Sequence, residues 1–175
     1  MADQSDEEDL ALILMAPSFV RIFYRRSLLD ADTAWLSSHN YEVFTFDATR
    51  WDSEEAFHQD IAPALDFPDY YGANVPAFGD SLRNAVADGY IFRPDAAGVV
   101  IVMTGYDSFV KVDAQLAWEI IEELAQRARA AMLCGNRLLC LLQSDDPDIS
   151  FPPVGATAVT WDNAEWFQHD RTRST

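Results

Sequence analysis

Apolar residues recur along this chain in two rhythms. Two runs are apolar throughout, Gly98 to Thr104 (GVVIVMT) and Leu138 to Leu142 (LLCLL), as strands in the middle of a sheet covered on both faces are. Tyr41 to Phe46 (YEVFTF) reads as a third, largely buried strand, rich in aromatic and β-branched residues. Between these runs the spacing turns helical. Phe57, Ile61 and Leu65 stand at i, i+4 and i+8 after a start at Asp52 or Ser53. Glu54 and Glu55 suit the positive end of that helix, and Pro63 bends or splits it. Val75, Phe78, Leu82 and Ala85/Val86 form the next stripe, with Asn74 as its cap and a stop at Asp88–Gly89. The longest helix is expected from Ala114 to Leu133, capped by Asp113 and terminated by Gly135, with Trp118, Ile121, Leu124 or Ala125, and Ala128 on its apolar side. Alternating strands and helices predict an α/β sheet with helical cover.

The ends are less regular. Leu10–Met15 and Ser18–Tyr24 read as strand material interrupted at Pro17, and Asp30 caps a short helix through Ala31, Ala34, Trp35 and Leu36 toward His39–Asn40. A Pro- and Asp-containing link spans Tyr90 to Ala97. Asp145 to Pro153 is an acidic, Pro-rich turn, followed by a strand from Ala156 to Trp161 and a polar end. No internal repeat or second core is visible. The pattern predicts an acidic disordered tail over 1–9 and one domain over 10–175.

Charge changes the picture more than composition does. Twenty-nine acids against 12 Lys and Arg give a formal net charge of −17. Five of the acids fall in the first nine residues, and the body stays acidic without them. Such a field repels nucleic acid and anionic membrane, and draws in basic partners. Leu10 to Val20 is apolar but follows an acidic flank and is shorter than the ~20 residues a membrane span needs, so a cytoplasmic protein is expected. Cys134 and Cys140, six residues apart, read as buried thiols in a reducing compartment.

Catalytic motifs are not legible. There is no Gly-rich phosphate loop, GxSxG or HExxH. His39, His58 and His169 are scattered. Asp145, Asp146 and Asp148 are interrupted by Pro147 and lack the glycine and glutamate of a calcium loop. Glu119, Glu122 and Glu123 fit the solvated side of a helix, and Trp161 and Trp166 fit the packing of the C-terminal segment. No cofactor, metal or catalytic residue is expected.

One stretch stands apart, Leu65 to Leu82 (LDFPDYYGANVPAFGDSL). Tyr70 and Tyr71 lie on the loop feeding the Asn74-capped helix. Pro76, in the first helical turn, sits where a missing N–H costs little. Asp80 falls on the exposed side one turn in, beside Gly79, which offers no side chain to cover it. Spacing alone also allows a plainer reading, an aromatic turn in which Asp80 pairs with Arg83 at i+3.

This stretch resembles the signature of the barstar family, small acidic proteins that inhibit ribonucleases such as barnase. The similarity rests on the lead-in Phe67, Pro68, Asp69, then Tyr70, Tyr71, Gly72, one residue, Asn74, and an acid six residues on, Asp80. It extends over the core at about 41–144, leaving extensions on both sides. The resemblance implies a barstar-like parallel sheet of three core strands packed with helices, extended here by additional strands. It implies no catalytic activity, and a partner-binding set of Tyr70, Tyr71, Gly72, Asn74, Pro76, Gly79 and Asp80 that plugs a ribonuclease active site. Three positions depart from the family pattern: Pro76 replaces an acid, Gly79 replaces an aromatic residue, and no carboxylate stands near Arg129–Ala130. Barnase itself is therefore expected to be bound weakly or not at all. The expected function is inhibition of, or immunity to, another basic ribonuclease or toxin. The alternative is a barstar-like interaction module with a non-nuclease partner.

Overall fold

The structure, a computed structural model, describes residues 9–88 and 95–172. The rest of the acidic tail, most of the 90–97 link and the last three residues lie outside the described residues. The centre is a wholly parallel five-stranded sheet. Its strands are β1 (Val20–Phe23), β2 (Tyr41–Asp47), β3 (Gly98–Thr104), β4 (Leu138–Gln143) and β5 (Thr160–Trp161), in the order β2-β3-β4-β1-β5. Every residue of β3 and β4 is buried, which is why both read as unbroken apolar runs. The three core strands and the added outer strands both match expectation: β1 and β5 extend the sheet beyond β4.

The helices are α1 (Leu10–Met15), α2 (Arg26–Ser38), α3 (Glu54–Ala64), α4 (Val75–Asp88), α5 (Tyr106–Val112), α6 (Ala114–Leu133) and α7 (Gln168–Thr172). Locally specified starts fall where the sequence puts them. Ser53 accepts from Ala56 N, Asn74 from Ala77 N and Asp113 from Leu116 N. Pro63 sits in the last turn of α3 and ends it rather than splitting it. Gly135 follows α6 at φ 82°.

Four expectations fail. Leu10–Met15 is a helix, not a strand: Asp9 caps it through Leu12 N, and Ala11, Leu14 and Met15 bury one face. A six-residue apolar run does not separate the two states by period. Helix α2 begins at Arg26, four residues before Asp30, which instead pairs with Arg26 at 3.0 Å. The last strand shrinks to Thr160–Trp161, because residues 154–157 turn back on themselves first. Cys134 is exposed at the end of α6, whereas Cys140 is buried in β4 and its thiol is pushed up by burial. Helices α5 and α7 carry no signal that the apolar spacing exposed.

The two extensions hold each other. Arg21, in β1, is 1% exposed. Its guanidinium donates to the Ile13 and Leu14 carbonyls at the end of α1, and to Trp161 O at 3.0 Å. Glu165 is fully buried and accepts from Tyr24 N, Arg25 N and Arg25 Nε at 2.7–2.9 Å. It thereby ties the two residues just before α2 to the far end of the chain. Buried apolar residues from Ala11 to Val154 form one core. Among the described residues no helix is long and apolar enough to cross a membrane.

Candidate functional site

Residues 66–74 join α3 to α4 across a short, strained path. Asp66 and Ala73 both take positive φ, 52° and 46°, a cost accepted where the surroundings fix the chain. Phe67 N bonds Ala62 O at 2.9 Å and Tyr71 N bonds Pro68 O at 2.8 Å. Asn74 works in both directions. Its Oδ1 accepts from Ala77 N at 2.9 Å, and its Nδ2 donates to Gly72 O at 3.1 Å. Cap and loop are therefore locked by one side chain.

The two tyrosines part company here. Tyr70 is 85% exposed. Tyr71 turns inward, its ring 5.0 Å from Phe67, and its hydroxyl bonds Nδ1 of His58. His58 is buried, with Nε2 3.4 Å from the Glu54 carboxylate. An ionised carboxylate only accepts, so the ring proton belongs on Nε2 and Nδ1 accepts from the phenol. Burial pulls the His58 pKa down against the pull of Glu54, and burial with Glu54 pushes Tyr71 up. Rings of Phe67, Phe78 and Phe57, 5.2–6.1 Å apart in sequence of contact, carry the loop's anchorage into the core.

Helix α4 buries Phe78, Leu82 and Ala85 and leaves Pro76 and Asp80 exposed. The Asp80 carboxylate, 63% exposed, meets Arg83 at 3.0 Å, so the plainer pairing is present in the free protein. Two side chains this open contribute little to stability, and either can be drawn away by a partner. Gly79 is different: it is buried. A Cβ there would lie 2.1 Å from Glu123 Oε2, so its missing side chain makes room for α6 rather than for a visitor. Glu123 in turn holds Arg127 at 2.9 Å.

Tyr70, Gly72, Asn74, Pro76 and Asp80 thus lie exposed along one loop and helix start, while Tyr71 supports them and Gly79 sits beneath Glu123. Sequence reasoning missed two contributors. Glu123, expected on a solvated face, lies against Gly79, the neighbour of Asp80. His58, scattered from the other histidines, stands four residues from Glu54, a spacing the sequence shows. The starts of α3, α4 and α6 also border a cleft of about 420 Å³, lined by Glu54, Pro76, Asp113 and Glu119 among others. The face thus presents one exposed carboxylate, Asp80, on a helix with a fixed start.

A family model described as Barstar (barnase inhibitor) matches residues 41–147, from the start of β2 to just past β4. The match contains the entire face and leaves α1, β1, α2 and the C-terminal segment outside. No curated protein matches the chain.

Proposed function

The chain belongs to the barstar family, and we propose that it binds a basic ribonuclease or toxin and occludes its active site with residues 70–80. The observation that carries this reading is Asp80, an exposed carboxylate on a helix whose start is locked by Asn74. A ribonuclease cleft is basic because it holds phosphate. A carboxylate delivered there offers its arginines and lysines the same charge-assisted bonds. Tyr70 supplies a large, low-entropy contact beside it, and the acidic body raises the rate of encounter. Occlusion needs no reaction by the inhibitor, and none is assigned.

Pro76 supports a shift of target within this class, since it cannot present charge where the family pattern has an acid. A second reading, a partner that is no nuclease, is favoured by Trp166 and Phe167, 51% and 61% exposed beyond the family match.

Calorimetric titration of basic ribonucleases, including any toxin encoded beside this protein, tests the first reading. Asp80→Ala is expected to weaken binding by about 2–5 kcal/mol, the range for a desolvated interfacial charge pair, drawn in part from this family's own complexes. Equal binding by wild type and variant, or no binding to any basic ribonuclease, refutes it.

A further inference from the structure

Outside the family match, residues 154–157 form a two-residue hairpin. Val154 and Thr157 exchange both backbone bonds at 2.8 Å, and the central Gly155 and Ala156 take φ of 53° and 64°. This is the turn geometry that matches strand twist, with both central residues left-handed. Gly155 meets two demands: the positive φ, and a Cβ position only 3.0 Å from Ala125. Ala156 faces only the first demand. It is exposed, and it holds a conformation that an alanine adopts at a cost.

The hairpin is docked on α6. Gly155 N donates to Glu122 Oε2 at 2.7 Å, and Arg129 reaches Gly155 O at 3.4 Å. On the neighbouring side of the same helix Glu123 lies against Gly79. Helix α6 is thus a ridge with α4 on one bank and the hairpin on the other. Its crest, Gln126 and Ala130, is low and exposed. The banks are separated by about one helix diameter, roughly 10 Å. A stable protein interface covers about 800 Å² per partner, a patch roughly 30 Å across. A globular partner seated on Asp80 and lying across α6 therefore reaches the hairpin tip.

We propose that the hairpin at residues 154–157 is a second contact element of the Asp80 interface and helps to set which basic partner fits. The inference rests on the ribonuclease-type reading above. It assigns a role in recognition to a segment that the family core lacks, through the exposed side chain of Ala156.

The test uses paired charges at one position. Ala156→Arg and Ala156→Glu carry the same backbone demand and opposite charge. At 0.15 M salt the Debye length is about 8 Å, so either charge is felt only if the partner is adjacent. Against a basic ribonuclease that the full chain binds, Ala156→Arg is expected to weaken affinity about tenfold and Ala156→Glu to tighten it severalfold, largely through the association rate. If both variants stay within about twofold of wild type while Asp80→Ala loses affinity, the hairpin lies outside the interface and only this inference falls. Equal weakening by both variants reports a damaged hairpin rather than a charged contact, and also overturns it. If no basic ribonuclease binds wild type, the reading beneath it falls as well.

Discussion

The carboxylate of Glu123 occupies the space that a side chain at position 79 would fill. An added Cβ at Gly79 would meet Glu123 Oε2 at 2.1 Å and Cδ at 2.6 Å. The obstacle is the end of a flexible side chain, itself tied to Arg127. Gly79→Ala alone is therefore expected to change stability by less than about 1 kcal/mol, since displacement of Glu123 offsets a helix-propensity gain of similar size. In a Glu123→Ala background the obstacle is gone, and Gly79→Ala should stabilise by about 1 kcal/mol. A double-mutant cycle by urea denaturation measures the coupling. Full additivity would mean that the two residues do not compete for that space.

Arg83 engages the carboxylate that the proposed interface needs. Its removal frees Asp80 and deletes a positive charge next to a basic partner. Arg83→Ala is expected to tighten binding about three- to tenfold and raise the association rate. Stability should move by less than about 0.5 kcal/mol, because both groups are open to solvent. Surface plasmon resonance at two salt concentrations separates the contributions. A loss of affinity would show that Arg83 itself contacts the partner.

Buried His58 and half-buried Asp32 push stability in opposite directions with pH. The His58 imidazole is held below its ordinary 6.5 by burial, so the unfolded chain binds that proton more readily. Stability from this site is complete above about pH 6.5 and is lost as pH falls toward the lower native value. His58→Gln should flatten that decline in thermal-melting curves taken between pH 7.5 and pH 5.

Asp32 does the reverse. Its carboxyl is pushed up to about 6 by burial and by Asp162, against the pull of Arg21. Between about 6 and the unfolded value of 3.8, the native state holds the proton more tightly, so stability rises as pH falls. At pH 7 the ionised group is a liability. Asp32→Asn should add about 1–2 kcal/mol there, after allowance for solvent screening, and the gain should vanish near pH 4. A gain independent of pH would exclude this origin.

Glu165 carries three bonds in a site with no exposure. Its removal strands the Tyr24 and Arg25 amides and leaves the Arg25 side chain with Ala164 O and solvent. Glu165→Ala is expected to cost about 3–5 kcal/mol, with hydrogen exchange rising first at the start of α2. Loss of protection confined to the C-terminal segment would contradict the interlock.

What the sequence disclosed divides along the range of the interactions involved. Ser53, Asn74 and Asp113 cap their helices through amides three residues on, and all three starts were readable. Helix α2 starts without a local side-chain cap, and the carboxylate that fixes the residues before it, Glu165, lies 140 residues from Arg25. The same holds at the candidate face. Asp80's exposure followed from the apolar stripe of α4, and the family signature located the loop. The opposite directions of Tyr70 and Tyr71, and the burial of Gly79, depend on His58 and Glu123. Those contacts are tertiary, and no spacing encodes them.

Strand β1 is synthesised early and seated late. Both of its neighbours arrive much further along the chain, with Val20 pairing to Cys140 and Arg21 to Thr160. At roughly 5–20 residues per second on the ribosome, β1 waits several seconds while β2, β3 and β4 assemble. Through that interval β1 has two bare edges, and Arg21 lacks Trp161, its partner from the C-terminal segment. An unpaired edge beside a hydrophobic strand invites pairing between copies of the chain. Loss of the last segment should therefore appear in cells first as insoluble protein, before any question of binding arises.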